Sequence, residues 1–288
     1  MASHPPHQVE PGRLEAAQVR AMFDRIAGIY DLMNSAMTAG LHHAWRARAV
    51  DLARVGPGSR VLDVATGTGD LALELARRVS PAARAPGDGA RAGQNGVAAA
   101  HAGEVVGSDF AEAMLERARS KAAALPADRR PRFEWGDALA LPYGDGHFDA
   151  ATVGFGARNF ADLGRGLAEM RRVVRPGGRV VVLEITTPTR APLSWFYRVW
   201  FDRVVPVLGR LAGAAGSAAA RLLRRERGAG PSVSDAYAYL PSSVRRFPGP
   251  PELAREMERA GLSEITWLLV AGGIVAIHAG TVPEAQGP

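Results

Sequence analysis

The 288-residue chain predicts an α/β fold: a mostly parallel seven-stranded sheet with helices on both faces and an antiparallel last strand. Three observations carry this. Short apolar runs alternate with segments of helical periodicity. A glycine-rich turn, "ATGTGD", follows directly on the first of those runs. The chain closes with two apolar runs parted by Gly272-Gly273, which reads as a strand, a tight turn and a returning strand.

Residues 1–18 are set apart as a disordered N-terminal tail and 281–288 as a C-terminal tail, leaving one domain over 19–280. Helical periodicity runs from about Leu14 to Ile29 and from Leu41 to Arg54. A strand at Arg60 to Val64 then leads through the glycine turn into the helix "LALELARRV". Residues 80–103, "SPAARAPGDGARAGQNGVAAAHAG", have no periodic apolar face and read as a disordered surface insertion. Beyond them "EVVGSDF", "PRFEWGDA", "HFDAATVGF" and "GRVVVLEI" are strands. "AEAMLERARSKAAAL" and "DLGRGLAEMRRVV" are the helices between them. Residues 186–248 form an irregular block, read as a substrate lid or insertion, before the helix "PPELAREMERAG".

Composition narrows the function. Apolar residues make up 47% and charged residues 22%, ordinary for a globular chain. There is no cysteine, which excludes a disulfide framework and thiolate chemistry and suits a reducing compartment. The net charge is +6, but Lys121 is the only lysine, leaving 34 arginines. With so much alanine, glycine and proline, this reads as a GC-rich coding bias rather than a phosphate-binding footprint, so nucleic acid is not expected as a partner. The N-terminus has no apolar signal-like core, and the longest apolar run, Ile265 to Gly280, is short for a membrane span and split by glycines. A cytoplasmic protein is expected.

The chemistry sits at the strand ends. Gly67, Thr68 and Gly69 let the backbone approach a ligand at a helix N-terminus, although such a turn also serves plain strand-to-helix packing. "GTGDLA" also satisfies the loose dinucleotide pattern. The acids around the turn favour S-adenosyl-L-methionine. Asp63, inside the first strand, can accept from the donor's ammonium. Asp109, ending the second, can take both ribose hydroxyls. Asp137, after the third, can accept from the adenine amino group, with the Ala138 backbone meeting a ring nitrogen. Each acid can instead cap a helix.

The stretches "VLDVATGTGD", "GSDFAEAML", "GDALALPY", "FDAATVGFGARNF" and "EMRRVVRPGGRVVVLE" resemble the motif series of class I methyltransferases, with their Rossmann-like fold. More narrowly they resemble the menaquinone/ubiquinone biosynthesis C-methyltransferase family. "MFDRIAGIYDLMNSAMTAGLHHAWR", "SDAYAYLPSSVRRFP" and "GGIVAIHAG" support the narrower match. The likeness spans roughly Phe23 to Gly280 apart from the insertions. Ala65 stands where many relatives have a first glycine, and Gly154 where some have serine. The resemblance implies S-adenosylmethionine-dependent C-methylation of demethylmenaquinol to menaquinol, with the ubiquinone precursor, another small molecule or RNA as alternative substrates. A non-catalytic donor-binding protein is the reading from a different class.

The resemblance also places a quinol ring at the end of the fourth strand, beside the first, where Arg158 and Asn159 emerge. A hydroquinol carbon is a poor nucleophile until its hydroxyl ionises. A guanidinium with a neighbouring amide can favour the phenolate. Tyr30, in "YDLMN", is a candidate contact to the ring or the sulfonium. The plainer reading pairs Arg158 with Asp162 and makes Asn159 a helix cap. His42-His43 are neighbours on a helix and do not suggest a metal site. Trp195, Phe196, Tyr197, Trp200 and Phe201 read either as an ordinary amphipathic helix or as a cover over the ring. The basic stretch within 209–230 reads either as a solvated insertion or as a surface for transient, peripheral contact with a membrane that holds the prenylated substrate. A homodimer is a further expectation.

Overall fold

The computed structural model describes residues 16–26, 38, 40–80, 103–188 and 242–284. Two helices precede the sheet, α1 (Ala16–Ile26) and α2 (His42–Leu52). There follow β1 (Arg60–Val64), α3 (Asp70–Val79), β2 (Glu104–Asp109), α4 (Glu112–Ala122), β3 (Arg132–Trp135) and β4 (Phe148–Gly154). The chain continues through α5 (Leu163–Val173), β5 (Val174–Ile185), α6 (Pro250–Arg259), β6 (Ser263–Val270) and β7 (Val275–Thr281). The first strand matches its expected bounds residue for residue. α1 begins at Ala16, inside the segment set apart as a tail.

The seven strands lie in the order β3-β2-β1-β4-β5-β7-β6. β1 pairs in parallel with β2 on one side and β4 on the other, and β7 runs antiparallel to both β5 and β6. The expected antiparallel closure is thus present. Consecutive strand residues point to opposite faces, so β1 feeds two cores. Val61 joins Leu75, Val105, Leu115 and Ile277 beneath α2, α3 and α4. Leu62 and Val64 join Leu167, Met170 and Met257 beneath α5 and α6.

The order reverses between β1 and β4. Chain leaves their carboxyl ends toward opposite sides, and a crevice opens there. The two edges of the expected insertion lie together: a Cβ placed on Gly103 would lie 2.5 Å from the Val79 carbonyl. Residues 81–102 and most of 186–248, including 209–230, lie outside the described residues.

Candidate active site

A cavity of about 460 Å³ occupies the crevice. Asp63, Gly67, Thr68, Asp109, Asp137 and Ala138 line it, and so does Asn159. The three strand-end acids are therefore brought to one space from segments far apart in sequence.

Asp63 is only 1% exposed. Its two oxygens accept from the hydroxyls of Thr66 at 2.6 Å and Thr152 at 2.7 Å. Thr152 faces it because Asp63 and Thr152 are register partners across β1 and β4. Burial pushes the Asp63 carboxyl up to about 6, against those two hydroxyls and the Arg46 charge. Asp109 accepts from the Gly67 amide at 2.8 Å and the Ala111 amide at 2.9 Å, which ties the glycine turn to β2. Burial raises its pKa despite these amides. Asp137 is exposed at the rim, and one of its oxygens accepts from the Leu139 amide at 2.9 Å.

The glycine turn is shaped by contacts that the motif alone does not show. Gly69 has φ +82°, and a Cβ there would lie 2.8 Å from the Phe133 ring, so only glycine packs under it. Gly67 has φ +56°, and a Cβ there would meet nothing within 4 Å. The space beside its Cα is therefore open, while its amide is held by Asp109. Ala65 takes a left-handed φ of +51°. Gly156 makes room for it, since a Cβ on Gly156 would lie 2.6 Å from the Ala65 Cβ. Thr68 is buried, and its hydroxyl accepts from Lys121 Nζ at 3.1 Å.

The turn after β4 differs from the plainer expectation. Phe155 has φ +60°, which swings the chain out of the strand. Arg158 does not line the cavity and does not pair with Asp162. Its Nη1 donates to both oxygens of Glu184, at 3.0 and 3.1 Å, and to the Phe155 carbonyl. This ion pair is buried, with side chains 7% and 2% exposed. The cap of α5 is Asp162, which accepts from the Arg165 amide at 2.9 Å, and not Asn159. Glu184 meets Arg158 because β5 runs beside β4: Gly154 is in register with Leu183, and the Phe155 amide donates to the Leu183 carbonyl. Tyr30 lies outside the described residues.

Sequence reading missed Arg46, Asp70 and Glu184. Arg46 lines the cavity, and its Nη2 lies 3.1 Å from an oxygen of Asp70, the first residue of α3. Asp70 also accepts from Lys121. Burial alone would raise the Asp70 carboxyl, but Arg46 and Lys121 outweigh it and hold the group below its usual range. His42, one helical turn before Arg46, was the only local signal that this face of α2 is polar and buried.

A family model matches residues 12–223 and 230–282. The chain belongs to the ubiE/COQ5 methyltransferase family. It is 44% identical to the demethylmenaquinone methyltransferase of Thermus thermophilus, over 91% of this chain and 100% of that protein. It is 36% identical to the ubiquinone/menaquinone biosynthesis C-methyltransferase UbiE of Geobacter sulfurreducens, over 91% of this chain and 88% of that one. At the level of fold it is similar to a SAM-dependent methyltransferase of Thermotoga maritima, described as a possible histamine N-methyltransferase. There the TM-score is 0.53 at 18% identity, covering 90% of this chain and 97% of that one. As a ubiE/COQ5 methyltransferase, the chain is an S-adenosylmethionine-dependent C-methyltransferase of quinone biosynthesis. The cavity lining is compatible with that co-substrate: open space beside the Gly67 Cα and three acids around one cavity. Among the described residues no helix is long and apolar enough to cross a membrane.

Proposed function

We propose that this chain methylates a ring carbon of demethylmenaquinol to give menaquinol, with the donor held in the cavity between β1 and β4. The observation that carries this reading is the convergence of Asp63, Asp109 and Asp137 on one cavity whose wall also includes Phe155 and Asn159. The co-substrate supplies an electrophilic methyl group on a sulfonium. Asp63 accepts from its ammonium, Asp109 from its ribose and Asp137 from its adenine, with the Ala138 backbone and the Gly67–Gly69 turn completing the seat.

The acceptor ring lies against Phe155, Asn159 and Phe160. A hydroquinol hydroxyl with a pKa of about 10 is only about 0.1% ionised at pH 7. The Asn159 amide donates to that oxygen and favours its phenolate, which raises electron density at the reacting carbon. Arg158 works from behind. Glu184 partly neutralises its charge and fixes the guanidinium, so Arg158 holds the turn in place and keeps a cation near the developing anion. Tyr30 remains a proposed contact to the ring. The hydroxyl proton leaves to water, and the ring carbon takes the methyl as the sulfonium becomes a thioether. The ring-carbon proton is then lost while the oxygen regains one, so one proton is released overall. Menaquinol rather than the ubiquinone precursor is favoured by the 44% identity to the Thermus enzyme against 36% to the dual-named one. A prenylated substrate resides in a bilayer, which supports transient peripheral contact. Dimerisation is part of the same proposal.

The test is single-turnover methylation of reduced, short-chain demethylmenaquinol across pH, beside donor calorimetry. The wild-type protein forms the methylated quinol. Arg158→Lys keeps charge but loses the planar fork. It is expected to drop about 10²-fold in kcat, because the turn that carries Asn159 shifts, and to keep its donor affinity. No methylated quinol from the wild type would overturn the substrate. Wild-type turnover in the variant would overturn the role of Arg158.

A further inference from the structure

We infer that Arg46 binds the α-carboxylate of S-adenosylmethionine, so that Arg46 and Asp63 form a paired-charge socket for the amino-acid end of the donor. This rests on the reading of the cavity as the donor site and adds a residue from outside the strand-end motifs.

The guanidinium is built into the cavity wall. Arg46 is 7% exposed and lines the cavity. Three elements fix it. His42, on the preceding turn of α2, bonds Nη1 through its Nδ1. Asp70, opening α3, takes Nη2 at 3.1 Å. Phe155, after β4, presents its ring 5.9 Å from the guanidinium carbon. An arginine has five N–H donors. Among the described residues, His42 and Asp70 are the acceptors at Arg46, so donors remain for a ligand in the cavity. Arg158 offers the contrast. It is equally buried, but it meets both oxygens of Glu184 and a carbonyl, and it does not face the cavity.

The neighbourhood decides which anion fits. Arg46 and Asp63 line the same cavity, and Asp63 precedes the glycine turn while Asp70, which Arg46 meets, follows it. Asp109 and Asp137, on the next two strand ends, suit a nucleoside. An α-amino acid carries its ammonium and carboxylate on one carbon. A carboxylate and a guanidinium on the wall of one cavity match that pair of opposite charges. Asp70 and Lys121 complete the balance. Asp70 holds the guanidinium in place, and Lys121 shares the single negative charge of Asp70, so two cations face one carboxylate and Arg46 keeps a cation's pull on the ligand. In a site shielded from water, planar bidentate pairing of guanidinium and carboxylate is both strong and directional.

The test compares two ligands by calorimetry: S-adenosylmethionine and decarboxylated S-adenosylmethionine, which keeps the amine, sulfonium and nucleoside but lacks the carboxylate. The wild-type protein is expected to prefer the intact ligand by about 10- to 100-fold, the range for a charged hydrogen bond. Arg46→Gln should lose about that factor for the intact ligand and less than about twofold for the decarboxylated one. Arg46→Lys should keep part of the preference. Equal loss for both ligands would assign Arg46 to the fold alone and overturn the inference. Equal binding of both ligands by the wild type would overturn it without any variant, which covers the case of a variant that does not fold. Normal discrimination in Arg46→Gln with lost turnover would move Arg46 to the acceptor and also overturn it. A wild-type protein that binds neither ligand overturns the donor reading as well.

Discussion

Replacing Asp63 by asparagine should stabilise the donor-free protein and weaken it as a donor-binding protein. Asp63 is 1% exposed, and burial pushes its carboxyl from the ordinary 3.8 to about 6. An aspartate whose folded pKa lies above its unfolded value lowers stability once it ionises. The cost is absent below about pH 4, grows as pH rises through the interval to about 6, and is fully present above it. At about 1.36 kcal/mol per pH unit, that interval amounts to about 3 kcal/mol. Arg46 and the hydroxyls of Thr66 and Thr152 already oppose it, whereas Asp109 adds to it. An asparagine in its place carries no charge. The Thr66 and Thr152 hydroxyls can each turn to donate or accept, so both contacts survive the substitution. Urea unfolding of donor-free wild type and Asp63→Asn from pH 4 to 8 is the assay. The variant is expected to be more stable by about 1–3 kcal/mol at pH 7.5, with the gap closing toward pH 4. Calorimetry should show its donor affinity falling by about 1.5–3 kcal/mol, because the ammonium loses a charged acceptor. A variant that is less stable at pH 7.5, or a gap that does not change with pH, would refute the reasoning.

Two further outcomes are expected. Asp109→Ala should weaken donor binding by about 1–3 kcal/mol, since the ribose loses a charged acceptor and the Gly67 amide loses its partner; unchanged affinity by calorimetry would remove Asp109 from the site. Deleting Pro81 to Ala102 should leave melting temperature and turnover nearly unchanged, because Gly103 already packs against Val79 and loop-closure entropy depends only weakly on length. A large fall in melting temperature would show that the segment packs on the domain.

The amino-acid sequence by itself determined the strands, the helices and the three acids. Each strand is a local apolar run, and Asp63, Asp109 and Asp137 sit at or just past a strand end whatever the strands pair with. The pairing of β1 with β4 was also legible, because a right-handed α/β crossover leaves few other orders. The tertiary structure decided the partners. Arg158 reads as a neighbour of Asp162, four residues on, yet it meets Glu184, 26 residues on, because the β4/β5 register sets the two strand ends side by side. Thr152 reaches Asp63 across 89 residues for the same reason. Arg46 enters the cavity only because α2 packs against α3 and turns its polar face to Asp70. Periodicity along one chain reveals which face of an element is buried. It carries no record of which distant side chain that face will meet, because registry and helix packing are settled jointly by both surfaces once they are brought together.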